Sequence, residues 1–387
     1  MKKTRRKVQP NFTLVLAALT AVSPLTPQLL APAFAQSPST LAAPSAVPVA
    51  LPDATAAKLR GLLSAPSLED ARIGVSIVAL GTVETPASFP SRHYADKKQP
   101  QIFTQDDAKR FMPASNMKLY TAALALKVLG PNKTLVTTVV AEGNGVRLWL
   151  VGGGDPSFDR VALRNLAFQV AAKGIKEVSE VVVDNSLFRA ENIGARYPDG
   201  WTLDDALWYY GPEVSAFAYE RNQADLVITG GAKSGDAATV KLEPEIDGFR
   251  IGNELQARIT TGSAALINAN EDDLIRIDRA LASDDNRISV TGAVAPNQKL
   301  TIGIAVPNPA QWARSAFVHE LRALGIRVGE SVATPQNQAQ NPAAARVVAS
   351  HDSPPVGVLL RRFLKNSDNL YGEMLLRLCG LDSTNPQ

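Results

Sequence analysis

The sequence predicts an α/β fold in which helical segments near both ends of the folded region enclose a long strand-rich stretch. Apolar residues recur at helical spacing in 119–129 and again in 316–324. Between about 134 and 299, short runs of β-branched residues are separated by Gly, Asn and Asp, which is typical of strands joined by turns. The 387 residues, 45% apolar and 20% charged, are enough for two domains of ordinary size.

The N-terminal 35 residues have the features of a secretory signal peptide. Five Lys and Arg residues within 2–7 precede an uncharged apolar run at 12–22, and Ala33-Phe34-Ala35 supplies the small residues of a cleavage site. A membrane anchor is the alternative, but this run is much shorter than the roughly 20 residues that a spanning helix needs. The pair Arg5-Arg6 matches a twin-arginine export signal only poorly. We therefore expect export to the periplasm or another extracytoplasmic cell-wall space, with membrane association at most peripheral.

A linker rich in Pro, Ala and Ser, over 36–55, is expected to precede the folded region. The folded region then begins with a predicted helix over 56–63 and a predicted strand over 73–80. A longer helix is predicted from Pro113 to Leu129, where Gly130-Pro131 ends it.

The strand-rich stretch contains six predicted strands, at 136–140, 146–151, 178–183, 224–228, 239–242 and 288–291. Gly152-Gly153-Gly154 follows the second of them. Because no GKS/T or GxGxxG pattern accompanies these glycines, a tight structural turn is favoured over a phosphate-binding loop. Further along the chain, the pattern predicts a strand over 300–306 and helices over 312–324, 356–364 and 370–378.

The charge, cysteine and histidine content argue against several classes of function. The chain has 40 Lys and Arg against 37 Asp and Glu, but five of the basic residues lie in the predicted signal peptide. The mature chain would therefore carry a net charge of −2, and no nucleic-acid partner is expected. The single cysteine, Cys379, cannot form an internal disulfide, and its apolar helical surroundings predict a buried position. The histidines His93, His319 and His351 lack the spacing of metal ligands, so no metal or organic cofactor is expected.

Ser115 and Lys118 form a pair that could carry nucleophilic chemistry. They are three residues apart on a predicted helix, so their side chains lie on the same face. A serine hydroxyl becomes a good nucleophile when a base takes its proton, and a lysine with a lowered pKa can be that base. The pattern alone is weak, and the alternative is a helix-capping serine followed by a solvated lysine.

Ser367-Asp368-Asn369 is a second candidate element, placed just before a predicted helix. In an acyl-transfer site, Ser367 could relay a proton to the leaving amine, and the Asn369 amide could hold both Lys118 and a substrate carbonyl. The alternative is a helix cap made from Ser and Asn. A competing match, Ser383-Thr384-Asn385, lies in the last five residues, where a chain end is rarely held firmly enough for catalysis.

Together the two elements resemble the S-x-x-K and S-D-N motifs of the β-lactamases and penicillin-binding proteins. The 252 residues that separate Ser115 from Ser367 are similar to the spacing in the class C low-molecular-mass penicillin-binding proteins, peptidase family S13, which carry a large inserted domain. The resemblance covers the chain from about residue 56 to the end. Other segments that resemble the family are 150–156, 183–188, 200–205, 353–355 and 366–374.

The resemblance implies a β-lactamase/transpeptidase-like α/β domain formed by 56–150 and 300–387, with a strand-rich domain inserted at 151–299. It also implies a serine-type D-Ala-D-Ala carboxypeptidase, often with endopeptidase activity, that acts on peptidoglycan peptides and is acylated by β-lactams. Ser115 would be the nucleophile and Lys118 its base. Ser367 would transfer a proton, and Asn369 would bind the substrate amide.

One feature departs from the family pattern. A third motif, Lys-Thr-Gly or a close variant, is expected roughly a hundred residues after the second, but only 18 residues follow Asn369. The single Lys-Ser-Gly, at 233–235, lies in the inserted region and in the wrong order, so we interpret it as a decoy. The expectation is a family member truncated at its C-terminus.

Two rival hypotheses remain at this point. One is an inactive, truncated relative that acts as a cell-wall-binding module, which a labelled penicillin would distinguish from an active enzyme. The other is an unrelated serine hydrolase that uses His351-Asp352. No Gly-x-Ser-x-Gly elbow occurs in the sequence, which argues against this second rival.

Overall fold

The structure is a computed structural model that describes residues 51–78, 101–143, 147–188, 197–202, 204–244, 256–261, 275–279, 288–306, 308–329 and 345–384. The predicted signal peptide and most of the predicted linker lie outside these residues. The chain divides into two units, Met1–Phe111 and Met112–Gln387.

The first unit contains a helix and a strand pair. Helix α1, Asp53–Leu63, has Asp53 in its first turn and Arg60 in its last turn, so both charges complement the helix dipole. Strands β1, Val75–Val78, and β2, Gln101–Gln105, pair antiparallel, with Val75 opposite Gln105. The helix and the first strand confirm the predicted elements at 56–63 and 73–80, as far as the structure describes the latter.

The second unit contains the remaining helices and strands of the described residues. The helices are α2 Met117–Val128, α3 Arg160–Ala172, α4 Pro309–Ala323, α5 Val356–Asn366 and α6 Asn369–Thr384. The strands are β3 Val136–Glu142, β4 Arg147–Val151, β5 Glu177–Val178, β6 Glu180–Asp184, β7 Gln223–Thr229, β8 Thr239–Glu243, β9 Gln256–Thr261, β10 Ile275–Arg279, β11 Ile288–Val294, β12 Lys299–Ala305, β13 Arg327–Val328 and β14 Arg346–Asp352.

A four-stranded sheet in the order β14-β3-β4-β6 forms the base of one hydrophobic core. Strand β3 alternates buried and more exposed residues, which is the period-two pattern of a strand with one buried face. Strand β4 is more fully buried: Leu148 and Leu150 have no exposed surface, and the strand runs parallel to β6. A central strand covered on both faces needs such a continuous apolar run.

Helices α3 and α4 pack together over this core. Each begins with a side-chain cap: Asp159 accepts a hydrogen bond from the Ala162 amide of α3, and Asn308 accepts one from the Gln311 amide of α4. Between the helices, the buried carboxylate of Glu320 accepts hydrogen bonds from Arg160 at 3.3 Å and Arg164 at 3.0 Å. Helix α3 was not predicted, although its buried residues follow a helical period.

A second core consists mainly of helices α2, α5 and α6. Its most buried side chains are Ala125, Val356, Phe363, Tyr371, Met374 and Leu375. Apolar residues of helix α2 are not confined to one face, and Leu119 and Tyr120 are exposed. None of the helices in the described part of the chain has the length and apolar character needed to cross a membrane.

A third core lies between two small sheets, β12-β7-β8 and β10-β11-β9. Their strands correspond to most of the predicted strand-rich stretch. The predicted domain boundaries at 150–151 and 299–300 fall inside β4 and β12. The three-part division of the chain stays a prediction.

The triple-glycine segment, 152–154, is an irregular stretch where the first two cores meet, and the turn that the sequence predicted there lies at Pro156–Ser157 instead. A Cβ on Gly153 would lie 2.1 Å from the Val136 carbonyl oxygen, and one on Gly152 would meet the Ala216 backbone at 2.6 Å. Gly154 has φ +78° and packs against Leu378 of the second core. Only glycine allows the chain to approach these neighbours so closely.

Candidate active site

Ser115 lies in a single 3₁₀ turn, Ala114–Asn116, that leads directly into α2. The predicted helix therefore begins with a tighter turn. Ala114 has a positive φ of 44°, an uncommon conformation for a residue with a side chain and one that often marks functional sites. The turn presents the Ser115 hydroxyl on the surface, close to the positive N-terminal end of the α2 dipole.

Lys118 lies one turn further along and contacts the other candidate residues through its Nζ. This atom donates to Ser367 Oγ at 2.9 Å, to the Ser367 carbonyl at 2.7 Å and to Asn369 Oδ1 at 2.5 Å. Ser115 Oγ lies 3.4 Å from the same nitrogen. Lys118 is thus not the solvated lysine of the alternative reading, because oxygens from two distant parts of the chain surround it.

The turn between α5 and α6 aims both oxygens of Ser367 at Lys118. Ser367 ends α5 in the left-handed conformation, with φ 51° and ψ 41°. The Asp368 amide donates to the Phe363 carbonyl at 3.2 Å, which closes the end of α5. Asp368 Oδ1 accepts from the Tyr371 amide and so caps the start of α6. The capping role that the sequence left open for Ser and Asn therefore belongs to Asp368.

Asn369 is held in one orientation by a second hydrogen bond. Its Nδ2 donates to the backbone carbonyl of Tyr210 at 2.9 Å, which leaves Oδ1 directed at Lys118. Sequence reasoning missed Tyr210, because a backbone carbonyl in a turn carries no side-chain signal. Tyr210 lies five residues beyond the segment 200–205 that resembles the S13 family.

The charges around Lys118 act in opposite directions. Burial lowers the pKa of Lys118, whereas the carboxylates of Asp368 and Glu373 raise it. Asp368 is itself close to Arg221, at 3.5 Å, and its side chain is only 6% exposed. Burial is the largest influence, so the Lys118 amine is closer to its neutral form than a surface lysine is, and a neutral amine can accept a proton.

The structure thus brings together all four predicted site residues, although Lys118 lies 249 residues from Ser367 and 251 from Asn369. The described residues contain no group of three or more His, Cys, Asp or Glu able to hold a metal ion. The catalytic roles of the four residues stay predictions.

The rival motifs lie elsewhere in the described structure. The Lys233 amide donates to Asp236, and the Lys233-Ser234-Gly235 motif, which we interpret as a decoy, lies in an exposed turn. His351 faces the buried Asp155 at 3.7 Å and packs edge-on against Phe158, instead of pairing with Asp352. Cys379 is buried, as predicted.

Comparisons with known proteins agree with this arrangement of motifs. The D-Ala-D-Ala carboxypeptidase 3 (S13) family matches residues 93–387. The chain belongs to this family. A D-alanyl-D-alanine carboxypeptidase of Actinomadura sp. (strain R39) is 31% identical over 86% of this chain and 60% of its own length. The DacB carboxypeptidase of Haemophilus influenzae is 26% identical over 72% of this chain and 56% of its own length.

A solved structure of this S13 type supports the fold. The crystal structure of penicillin binding protein 4 (dacB) from Haemophilus influenzae matches with a TM-score of 0.60 and 22% identity, over 74% of this chain and 61% of that one. The transpeptidase-like α/β fold with an inserted strand-rich region is thereby confirmed. The present chain spans about 60% of the length of the relatives it matches.

Proposed function

We propose that this chain is a serine-type D-Ala-D-Ala carboxypeptidase/endopeptidase that acts on peptidoglycan stem peptides through an acyl-enzyme. The observation that carries the proposal is the position of Lys118 Nζ, which joins Ser115 to Ser367 and Asn369 in one cluster. Membership of the S13 family and relatives named D-alanyl-D-alanine carboxypeptidase support it. Its peptidoglycan substrate places the reaction outside the cytoplasm.

The first half of the reaction forms an ester. Ser115 Oγ attacks the carbonyl carbon of the bond between the two D-alanines while its proton passes to Lys118 Nζ. Negative charge develops on the substrate carbonyl oxygen, close to the N-terminal end of α2. The Ser367 hydroxyl, 2.9 Å from Lys118 Nζ, passes its proton to the leaving nitrogen and takes a proton from Lys118 in return. The C–N bond breaks, D-alanine departs and Lys118 is neutral again.

The second half returns the enzyme to its starting state. Water attacks the ester carbonyl as Lys118 takes its proton, and the proton returns to Ser115 Oγ when the C–O bond breaks. The product is a peptide shortened by one residue. Asn369 orients Lys118 and binds the substrate amide. The hydrogen bond from Asn369 to the Tyr210 carbonyl holds the side chain in place for both contacts. A β-lactam would acylate the same oxygen, since opening its ring amide forms the same ester.

Covalent labelling of the full chain with a fluorescent penicillin tests the proposal. We expect one label per chain, located on the Ser115 peptide by mass spectrometry, and no label in Ser115→Ala. Ser234→Ala is the matched control, because Ser234 belongs to the decoy motif, and it should label like the parent chain. An unlabelled parent chain, or a label on another serine, would contradict the proposal.

Product analysis then separates the two activities. A stem peptide ending in D-Ala-D-Ala should lose one D-alanine, which chromatography measures directly, and a cross-linked dimer of such peptides should yield monomers if endopeptidase activity is present. Ser115→Ala should abolish both products.

A further inference from the structure

We infer that Arg221 is a positioning residue, which holds the turn between α5 and α6 against Lys118 through its ion pair with Asp368. This turn carries Ser367 and Asn369. The role rests on the proposed function, because the turn surrounds the base of that reaction. Arg221 belongs to neither sequence motif and lies in the strand-rich stretch between them, so a part of the chain without any catalytic motif takes part in building the site.

The ion pair joins a buried carboxylate to a more exposed cation. Arg221 Nη1 lies 3.5 Å from Asp368 Oδ2, and the Asp368 side chain is 6% exposed against 38% for Arg221. The other carboxylate oxygen, Oδ1, accepts a hydrogen bond from the Tyr371 amide at 3.2 Å. A carboxylate buried to this extent destabilises a fold unless a cation or hydrogen-bond donors compensate its charge. Arg221 supplies the cation from outside the turn.

Asp368 lies between the two residues of the turn that contact Lys118. Its amide donates to the Phe363 carbonyl at 3.2 Å, so the residue is held at its backbone as well as at both carboxylate oxygens. Its neighbours in the chain, Ser367 and Asn369, share its two peptide units. Fixing Asp368 therefore restricts the backbone that directs the Ser367 carbonyl and Asn369 Oδ1 at the lysine.

The backbone around Arg221 has an uncommon conformation. Glu220, Arg221 and Asn222 are three consecutive residues with positive φ, at 48°, 57° and 54°. Residues with a Cβ disfavour this region, so three in succession persist only where surrounding contacts hold them. Such strained segments cluster at functional sites, and this one brings a cation to the catalytic turn.

The neighbours of Arg221 are held by their own contacts. Glu220 Oε1 accepts a hydrogen bond from the Arg160 amide at 2.7 Å, at the start of α3. Asn222 has no exposed surface, and its Nδ2 donates to the Glu213 carbonyl at 2.9 Å. Both contacts fix the backbone on either side of Arg221. The Arg221 side chain is thereby directed at the turn between α5 and α6.

A second contact from the same part of the chain reaches the site at Tyr210. The Tyr210 carbonyl accepts a hydrogen bond from Asn369 Nδ2 at 2.9 Å, and Arg221 pairs with the adjacent Asp368. The strand-rich stretch therefore holds two consecutive residues of the turn, one at each contact. Two contacts fix both the place and the direction of the turn, whereas a single contact would leave it free to pivot.

Arg221 also compensates a negative charge near the lysine. Burial lowers the pKa of Lys118, whereas the carboxylates of Asp368 and Glu373 raise it. The cations of α5, at 361, 362 and 365, are exposed. Without Arg221, the Asp368 carboxylate would act on Lys118 uncompensated, so the lysine would hold its proton more tightly.

Acylation of the full chain by labelled penicillin, measured per folded molecule, tests this role. In Arg221→Met, which keeps the length of the side chain and removes its charge, acylation should slow by about tenfold, because charged groups in contact couple at this level. Arg221→Lys should recover most of the parent rate, since a single nitrogen makes the contact. Arg327→Met removes an exposed cation that is paired with Glu177, and this matched control should react like the parent chain.

Asp368→Asn breaks the same ion pair from the other side. Its amide oxygen can still accept from the Tyr371 amide and no buried charge is left unpaired, so this variant provides the test even if Arg221→Met does not fold. We expect a similar slowing of acylation. Adding Arg221→Met to Asp368→Asn should slow the reaction no further, because Arg221 acts through Asp368. A further tenfold loss in the double variant would contradict the inference.

The pH profile of acylation distinguishes positioning at the lysine from a purely structural ion pair. Arg221→Met should move its acid limb to higher pH, because a lysine that holds its proton more tightly becomes neutral only at higher pH. Asp368→Asn should move the same limb to lower pH, since a negative charge near Lys118 is lost. A structural ion pair would leave the acid limb in place in both variants.

Hydrogen exchange measures the order of the turn without acylation. The Tyr371 amide is bonded to Asp368 Oδ1, so peptides that cover the turn should exchange faster in Arg221→Met than in the parent chain. Mass spectrometry gives this comparison on the intact protein.

The outcomes separate this inference from the proposed function. If the parent chain is acylated but Arg221→Met and Asp368→Asn react at the parent rate, the positioning role is wrong and the proposed function stands. If the turn exchanges faster in Arg221→Met but the parent chain forms no ester with penicillin, the positioning of the turn stands and the proposed function is wrong. A loss of thermal stability with unchanged acylation, pH profile and exchange would identify the ion pair as structural only.

Discussion

At the residue scale, the sequence identified the side chains that meet around Lys118 but not the groups that hold them in place. The short spacing within Ser115–Lys118 and Ser367–Asn369 could be read directly, since each pair lies within one turn of chain. The Tyr210 carbonyl and Arg221 could not be predicted, because backbone carbonyls carry no sequence signal and Arg221 approaches from a turn distant in sequence.

The two hydrogen bonds of Asn369 lead to a prediction about acylation. In Asn369→Ala, Lys118 loses one oxygen acceptor and the Tyr210 carbonyl loses its donor. Hydrogen bonds to a charged group contribute about 1.5–3 kcal/mol, so penicillin acylation should slow by about ten- to a hundredfold. Stopped-flow acylation measures this rate. Asn366→Ala, at the exposed end of α5, is the control and should keep the parent rate; equal slowing in both variants would contradict a specific role for Asn369.

At the element scale, most helices and strands followed from periodicity, and the misses have physical reasons. Helix α3 has a clear helical period in its buried residues, such as Leu163, Leu166 and Val170, but the β-branched runs on both sides of it led us to assign the whole stretch to strands. Strand β14 was missed because it lies at the edge of its sheet with Val347 exposed, so its apolar residues do not alternate regularly. The turn predicted at Gly152–Gly154 lies at Pro156–Ser157 instead, because the glycines pack closely along the backbone of Val136 and Ala216.

The close packing of the glycine segment, 152–154, gives a prediction about stability. In Gly153→Ala, the new methyl group would lie 2.1 Å from the Val136 carbonyl, a backbone atom that cannot move without disturbing β3. We expect the free energy of unfolding to fall by about 3 kcal/mol, measured by urea denaturation.

Gly380→Ala is the matched control for this change. Within the described structure, no heavy atom outside its own helix lies within 4 Å of a Cβ at Gly380, and alanine is the better helix former by about 1 kcal/mol. This variant should therefore be as stable as the parent chain or slightly more so. A Gly153→Ala variant with the stability of the parent chain would show that β3 can move away from the glycine segment.

At the scale of the whole molecule, the sequence could not show which distant segments share a core. Strand β14 pairs with β3, about 200 residues earlier, in the sheet that also holds β4 and β6. Neither strand carries a local sequence signal of this pairing register, because the packing of the whole fold, and not the neighbouring residues in the chain, determines which strands pair. Strands β14 and β3 come from the two separated parts of the predicted transpeptidase-like domain, and β6 comes from the stretch predicted as the insert.

Asp155, at the junction of two cores, gives a prediction about pH and global stability. Its Oδ1 accepts from the amide and hydroxyl of Ser157, whereas Oδ2 is buried 3.7 Å from His351 and, among the described atoms, has no hydrogen-bond partner. Burial raises the pKa of Asp155. The folded state therefore binds the proton more tightly than the unfolded state does, and stability is lost as pH rises from 3.8 through the folded pKa.

The variant Asp155→Asn tests this argument. The amide keeps the oxygen that accepts from Ser157 and removes the buried charge, so the loss of stability with rising pH should be smaller than in the parent chain. At neutral pH we expect a gain of about 1 kcal/mol relative to the parent. Thermal unfolding measured between pH 4 and pH 8 gives the comparison. Parallel plots of unfolding temperature against pH for the two chains would show that the Asp155 carboxyl makes no difference to the pH dependence of stability.

The left-handed backbone of Ser367 restricts which residues can serve at that position. A hydroxyl is needed beside Lys118, and threonine also carries one, but a branched Cβ is poorly tolerated at a φ of 51°. Glycine suits the backbone and lacks the oxygen, whereas asparagine suits it and replaces the hydroxyl with an amide. Serine combines an unbranched Cβ with a neutral hydroxyl that can both give and receive a proton, so chain handedness and the proposed proton chemistry together favour it there.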